Sequence, residues 1–295
     1  MDTAEILKKV RQIEIQTGKL VSETFSGEYL SVFKGQGIEF AEVREYIPGD
    51  DIRSIDWNVT ARTGVPFVKK YNETRELTLI IACDVSASQR FGSWDKLKQE
   101  TAAELAALFA FSAMTNNDKV GLLLFSDKIE LFVPPKKGKK HILRLIRELL
   151  AFEPSSKGTD IALALKTLTK VIRRQGILVL LSDFMAPIEQ FEKPFRLAAK
   201  KFDLIPVVIS DRREKTLPAL SACLAVQDPE TGAEGMLTLS HAAAAHLQQD
   251  AQQRDYALKQ LFNPLKIEAI SVDTAQPAAD PVIAFFKRRA KKLKR

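Results

Sequence analysis

An acidic residue and two serines follow the first strongly apolar run of the chain. The run Leu77–Cys83 leads into Asp84, and Ser86 and Ser88 follow at alternate positions, in the order Asp-x-Ser-x-Ser. Carboxylate and hydroxyl oxygens are the ligands that hard divalent cations prefer. Taken alone, this stretch is equally typical of a loop that leads into a helix, so it favours a metal site only together with other residues.

Two further polar positions stand at comparable places along the chain. Asp183 follows the apolar run GILVLLS, and Thr159 and Asp160 precede an amphipathic helix. Each has a simpler interpretation, since Thr159 or Asp160 is typical of a helix N-cap and Asp183 of a turn at a strand end. The carboxyl ends of parallel strands share one edge of a sheet, where ligand sites form. The coincidence predicts a Mg²⁺ or Mn²⁺ site formed by Asp84, Ser86, Ser88, Thr159 and Asp183.

Strands and helices alternate around these residues. Apolar runs typical of buried strands begin near residues 77, 119, 129, 176, 202 and 267, and helical patterns cover about 94–114, 139–152, 160–175, 188–201, 241–262 and the end from 281. This alternation predicts an α/β fold of three layers, Rossmann-like, with a mostly parallel central sheet and helices on both faces. Two runs in LLLFSDKIELFV are too close for a parallel connection, so one strand is predicted to be antiparallel. LAVQD and GMLTLS predict an edge hairpin.

The segment from about residue 18 to 76 has a different texture. Glycine, proline and hydroxyl residues are frequent, and the pieces IDWNV and VPFVKKY are interpreted as short strands or extended segments. The organisation predicted is an N-terminal extension over residues 1–75, which begins with a short helix over 3–15, and a main domain over residues 76–295.

The positive charge of the chain is concentrated at its end. The formal net charge is +7, and Lys287–Arg295 holds seven cations and no acid, so the rest of the chain is neutral. A basic surface spread over the fold is therefore excluded. We interpret the tail as a docked helix whose cations suit the C-terminal end of the helix dipole. Binding of nucleic acid or an anionic membrane surface through Lys287–Arg295 is the alternative.

The sequence lacks the usual signatures of several other classes. Cys83 and Cys223 form no CxxC pair, and no signal peptide or bilayer-spanning run is visible, which predicts a soluble cytoplasmic protein. There is no phosphate-binding GxxxxGK[ST] loop and no GxSxG elbow. His241 and His246 are five residues apart and face different sides of a helix, so they form no zinc pair. We expect a protein that is not an enzyme.

The metal-site residues also carry a family resemblance. Their order, Asp-x-Ser-x-Ser, then Thr, then Asp, on a sheet with one antiparallel strand, resembles the von Willebrand factor A domain and its metal-ion-dependent adhesion site. The resemblance covers about residues 76–290. It implies that Ser86, Ser88 and Thr159 are hydroxyl ligands, and that Asp84 and Asp183 are carboxylates that often act through water. It also implies an open position on the cation, taken by a carboxylate of a partner protein.

A second resemblance lies in the preceding segment. FKGQGIEFAEVREYIPGDDIRSIDWNVTARTGVPFVKKYNETRE, Phe33–Glu76, resembles the signature region of the DUF58 family of bacterial proteins, which carry such an A-type domain and are often encoded beside MoxR-type AAA+ ATPases. The chain resembles the short form without N-terminal membrane spans.

Together the resemblances imply a metal-dependent protein–protein interaction module. It would be an adaptor or co-factor of a MoxR-type AAA+ ATPase, binding that ATPase or its client, with no small-molecule substrate. The alternatives are a Mg²⁺-dependent hydrolase that uses the same oxygens, and anionic-surface binding by the basic tail.

Overall fold

The fold was analysed in a computed structural model that describes residues 3–21, 38–73, 77–93, 96–217 and 222–293. The chain divides into two compact units, one formed by Met1–Val32 with Thr78–Arg295 and the other by Phe33–Leu77. The N-terminal helix therefore belongs to the larger unit, whereas the sequence grouped it with residues 1–75. Asp2, Trp94 and the outer parts of the DUF58-like signature, residues 33–37 and 74–76, lie outside the described residues.

The regular elements of the described residues are numbered in chain order. The strands are β1 Ile38–Glu45, β2 Phe67–Glu73, β3 Thr78–Asp84, β4 Lys119–Phe125, β5 Ile129–Lys136, β6 Ile177–Ser182, β7 Asp203–Ser210, β8 Ala222–Gln227, β9 Glu234–Leu239 and β10 Ile270–Asp273. The α-helices are α1 Thr3–Leu20, α2 Trp57–Thr63, α3 Lys98–Thr115, α4 Lys139–Ala151, α5 Ile161–Val171, α6 Ile188–Lys201, α7 His241–Phe262 and α8 Ala279–Leu293.

Six strands of the larger unit form one sheet in the order β10-β7-β6-β3-β4-β5. Every neighbouring pair is parallel except β4 and β5, which are antiparallel. The central strands are buried on both faces, which explains their continuous apolar runs. The predicted fold class, a mostly parallel α/β sheet with one antiparallel strand, is confirmed, and the sheet has the architecture that the resemblance to the von Willebrand factor A domain implies.

Helices cover both faces of this sheet. On one face α5, α6 and the C-terminal part of α7 pack against alternate residues of β3, β4, β6 and β7. On the other face α3 contacts β3, β4 and β7, α4 packs against α3, and α1 contacts both of these helices. Phe109 of α3 lies against Phe286 of α8, with ring centroids 6.0 Å apart. The predicted hairpin is present as β8 and β9, but it forms a separate antiparallel pair and does not extend the edge of the six-stranded sheet.

The basic C-terminal helix is docked on the larger unit. Val282, Phe285 and Phe286 of α8 are fully buried, and further along the helix Arg288 and Lys292 both pair with Glu268. These contacts favour the structural interpretation of the tail. The helix begins two residues before the predicted start at 281, and residues 294 and 295 lie outside the described residues. Among the described residues, no helix has the length and apolar character needed to cross a membrane.

The smaller unit corrects one prediction from the sequence. The piece IDWNV was interpreted as a strand or extended segment, but it leads into α2. Asp56 caps this helix, because its Oδ1 accepts hydrogen bonds from the backbone N–H groups of Asn58 and Val59 at 3.0 and 3.4 Å. Gly64 ends it with a left-handed φ of 75°. An Asp N-cap and a C-terminal Gly are strong helix signals, and here they outweigh the apolar alternation between them.

We expect Gly176→Ala to destabilise the sheet. A Cβ at Gly176, directly before β6, would lie 2.4 Å from the backbone oxygen of Thr78 on β3, and backbone cannot move aside as a flexible side chain can. Overpacking of this kind costs about 1–3 kcal/mol of unfolding free energy. Urea denaturation measures the loss, with Gly235→Ala as the control because a Cβ there meets no atom within 4 Å. Equal stabilities of the two variants would contradict this prediction.

Candidate metal centre

The candidate site lies at the carboxyl edge of the sheet, where β3 and β6 are parallel neighbours. Asp84 is the last residue of β3, and Asp183 directly follows β6. The short 3-10 helix Ala87–Arg90 follows β3 and places Ser88 at this edge, beside Asp183. Because the two strands run parallel and end together, Asp84 and Asp183 are brought to the same edge of the sheet. The hydroxyl of Ser182, the last residue of β6, donates to Asp84 although 98 residues separate the two in the sequence.

Asp84 is buried and held from both sides. Its Oδ1 accepts a hydrogen bond from the backbone N–H of Ser86 at 2.9 Å, and its Oδ2 accepts one from the Ser182 hydroxyl at 2.8 Å. Burial, followed by the negative charge of Asp183, raises the pKa of Asp84 to about 7. The carboxylate is therefore poorly compensated, and a positive charge placed nearby would stabilise its ionised form.

The two serines connect to the second carboxylate. The hydroxyl oxygens of Ser86 and Ser88 are 3.1 Å apart, and the Ser88 hydroxyl donates to Oδ2 of Asp183 at 2.8 Å. The other oxygen of Asp183 accepts from the backbone N–H of Met185 at 3.2 Å. The structure thus brings four of the five residues singled out in the sequence, Asp84, Ser86, Ser88 and Asp183, into one hydrogen-bonded network.

Thr159 lies beside this network rather than in it. Its hydroxyl donates to Oε1 of Glu230 at 2.9 Å, and both residues line the same cavity as Ser88. Burial raises the pKa of Glu230, and the charge of Asp183 acts in the same direction. Glu230 was not identified from the sequence, since it lies in a hairpin turn 71 residues from Thr159.

The sequence left open whether Thr159 or Asp160 caps the following helix. Oδ1 of Asp160 accepts from the backbone N–H of Leu163 at 2.8 Å, so Asp160 is the N-cap of α5. This leaves the Thr159 hydroxyl to face the cavity.

A buried lysine was also missed. The Lys98 side chain is fully buried, and its ammonium group lies 2.7 Å from Oδ2 of Asp183 and 2.5 Å from Oε1 of Glu214. Burial alone would lower the pKa of Lys98, but the charges of Asp183 and Glu214 outweigh it and raise the pKa above its ordinary value. A signal was present, because Lys98 precedes Ala102 and Leu105 by four and seven residues and so stands in the apolar stripe of α3.

A second buried acid holds Glu214 in place. Asp211 follows β7 and accepts hydrogen bonds from the hydroxyls of Ser93 and Thr274. Burial opposes ionisation of Asp211, but these hydrogen bonds outweigh it and keep its pKa below the ordinary value. The backbone N–H of Asp211 donates to Oε2 of Glu214 at 2.9 Å, which leaves Oε1 for Lys98. Asp211 therefore positions Glu214, and Glu214 positions Lys98.

The residues at this edge suit a hard divalent cation. Among the residues that the structure describes, no group of three or more His, Cys, Asp or Glu side chains is arranged to hold a metal ion. The five residues singled out in the sequence instead offer three hydroxyls and two carboxylates, all of them oxygen donors. This set fits Mg²⁺ or Mn²⁺, which take oxygen ligands and keep several waters. Two of these candidate ligands, Ser88 and Thr159, line a cavity of about 790 Å³, a size that admits a side chain of another protein.

Solved structures with a similar fold share little sequence with the chain. One is the conserved hypothetical protein BatB from Bacteroides thetaiotaomicron, with 18% identity and a TM-score of 0.47 over 73% of this chain and 99% of that chain. Another is the SpRpn10 VWA domain, with 13% identity and a TM-score of 0.39 over 70% of this chain and 94% of that chain. At these values the likenesses carry no conclusion about function.

Sequence relatives are closer. The uncharacterized protein Rv1480 of Mycobacterium tuberculosis is 30% identical over 256 residues, which cover 83% of this chain and 80% of that protein. The uncharacterized protein YeaD of Bacillus subtilis is 27% identical over 109 residues, or 37% of this chain and 25% of that protein. The profile of one family, described as protein of unknown function DUF58, matches residues 42–256, and the chain belongs to this DUF58 family.

Proposed function

We propose that the carboxyl edge of the sheet binds Mg²⁺, or Mn²⁺, and through it a carboxylate of a protein partner. A von Willebrand factor A-like fold in a DUF58 protein supports a protein-interaction module in general terms. The observation that carries the metal-dependent form is the network that joins Asp84, Ser86, Ser88 and Asp183 and reaches, through Ser88, a cavity that Thr159 also lines. The bound cation would supply a positive charge that attracts an external carboxylate.

The residues of the chain have separate tasks in this proposal. Ser86, Ser88 and Thr159 would contact the cation through neutral oxygens, so that they add no negative charge. Asp84 and Asp183 would balance its charge from the edge of the sheet. Lys98 already offsets part of the carboxylate charge, because it pairs with Asp183. A divalent cation bound here would therefore keep an attraction for one more carboxylate.

The same contacts support binding rather than catalysis. Both oxygens of Asp84 accept hydrogen bonds within the protein, and Oδ2 of Asp183 accepts from Ser88 and from Lys98. These carboxylate oxygens are thus already engaged by donors of the protein itself, whereas a hydrolase of this type would need a carboxylate positioned beside an attacking water. We propose that the protein is not an enzyme. The proposed partner class, a MoxR-type AAA+ ATPase or its client, rests on the resemblance of the DUF58-like signature. The proposed cytoplasmic location rests on the cysteine pattern, since Cys83 and Cys223 form no disulfide.

Ser86→Ala is expected to weaken Mg²⁺ binding by tenfold or more, because it removes a hydroxyl at the centre of the network. Calorimetric titration of the purified protein with MgCl₂ measures this change. Ser155→Ala is the matched control, because that exposed hydroxyl donates to Glu130, outside the site. Equal Mg²⁺ affinities of the two variants would show that the cation does not bind at this edge.

Partner binding is tested with the purified MoxR-type ATPase of the same genome. ATPases need Mg²⁺ for their own nucleotide, so the comparison is made between variants at constant Mg²⁺ rather than by chelation. We expect wild type and Ser155→Ala to capture the ATPase and Ser86→Ala to lose it. Capture that survives the loss of Mg²⁺ binding in Ser86→Ala would exclude a metal-mediated contact.

A further inference from the structure

The β8–β9 hairpin brings a carboxylate of the chain itself to the candidate metal centre. Glu230 lies in the turn between β8 and β9, and its Oε1 accepts a hydrogen bond from the hydroxyl of Thr159 at 2.9 Å. Glu230, Thr159 and Ser88 line one cavity. A carboxylate is thus already in contact with one of the hydroxyl ligands that the proposed function assigns.

The turn holds Glu230 in a defined position. Oδ1 of Asp228 accepts from the backbone N–H of Glu230 at 2.9 Å and from that of Thr231 at 3.3 Å. The backbone N–H of Gly232 donates to the backbone carbonyl oxygen of Asp228 at 2.8 Å. Gly232 has a left-handed φ of 73°, which glycine adopts without strain. The turn therefore presents Glu230 through its own hydrogen bonds rather than through packing against the sheet.

The rest of the hairpin is held loosely. Every residue of β8 is exposed, and Leu239 is the buried residue of β9. Leu224 and Val226 remain 46% and 41% exposed. Because little apolar surface is buried by the two strands, moving the hairpin away from the site costs little hydrophobic free energy.

We propose that Glu230 is an internal ligand of the bound cation and takes the position that a partner's carboxylate would otherwise fill. This inference rests on the proposed function. The charge of the site supports it. The three hydroxyls add no negative charge, and Lys98 offsets part of the charge of Asp183, so a divalent cation would attract a further carboxylate. Glu230 is the carboxylate that contacts one of the proposed hydroxyl ligands, Thr159. A partner then binds the cation by displacing Glu230. The carboxylate of the partner must therefore bind the cation more strongly than Glu230 does.

Mn²⁺ serves as the probe, because its free concentration is read by electron paramagnetic resonance and its bound waters by water-proton relaxation. Glu230→Ala is expected to weaken Mn²⁺ binding by about 10- to 100-fold and to increase the hydration of the bound ion. Sodium acetate should restore part of the affinity, since it supplies the missing carboxylate. Glu234→Gln, a change of an exposed acid on the same hairpin, is expected to match wild type in both measurements.

The outcomes separate this inference from the proposed function. Mn²⁺ binding that is lost in Ser86→Ala but is identical in affinity and hydration between Glu230→Ala and Glu234→Gln would refute the internal ligand and leave the metal centre standing. Wild-type protein that binds no Mn²⁺ would refute both. Weaker binding without extra hydration or acetate rescue would also overturn the inference, because it would show that Glu230 acts through Thr159 and not on the cation.

Discussion

Lys98→Met is expected to lower the free energy of unfolding by about 3–5 kcal/mol. The substitution keeps most of the buried aliphatic stem but removes the ammonium group, which leaves the carboxylates of Asp183 and Glu214 without their shared cation. Breaking a buried ion pair from one side costs this much because the remaining charge stays in a poorly solvated place. Urea denaturation in the presence of a chelator measures the effect without a contribution from bound metal.

The neighbouring Lys96 provides the matched control. Its ammonium group also forms an ion pair, with Glu104 at 2.6 Å, but the lysine side chain is 45% exposed. Water screens such a pair, so Lys96→Met is expected to change stability by no more than about 1 kcal/mol. A loss below 1 kcal/mol in Lys98→Met as well would mean that the buried carboxylates are neutral or hydrated without the lysine.

Asp84→Asn is expected to abolish the stabilisation of the protein by Mg²⁺. A cation that binds only the folded state at one hundred times its dissociation constant raises the free energy of unfolding by about 2.7 kcal/mol. Asparagine keeps the shape of the side chain and an oxygen that can accept the hydrogen bond from the Ser86 N–H. It lacks the negative charge that balances the cation. Thermal unfolding of wild type and variant with MgCl₂ or with chelator measures the difference. A variant that MgCl₂ stabilises as much as wild type would exclude Asp84 from the metal centre.

Without metal, the same residue predicts a pH dependence. The pKa of Asp84 is raised from its ordinary value of 3.8 to about 7 in the folded protein, so the folded state binds this proton more tightly than the unfolded state. Its contribution to stability is therefore fully present below the unfolded pKa and is lost as the pH rises through about 7. Metal-free wild type is expected to be less stable at pH 8 than at pH 6, and Asp84→Asn to lose this difference. A wild-type stability that rises over this interval would contradict the assignment.

Much of the fold could be predicted because its signals are local. Continuous apolar runs mark strands buried on both faces, and each run in the central sheet corresponds to an observed strand. The place of Asp84 and Asp183 followed from the same pattern, since the end of an apolar run is the end of a strand. The prediction failed at α2, where the capping residues Asp56 and Gly64 decided the structure and the alternation between them did not.

The chemistry around the candidate site depended on contacts between distant parts of the chain. Lys98 meets Asp183 across 85 residues, and Thr159 meets Glu230 across 71, and no periodicity connects such pairs. The sequence by itself determined the alternation of elements, the strand ends and the set of oxygen-bearing residues placed there, because hydrophobic patterning and chain connectivity specify them. Only the tertiary structure decided that the buried Lys98 pairs with Asp183 and that Glu230 of the hairpin contacts Thr159. Both contacts depend on how separately formed elements pack together.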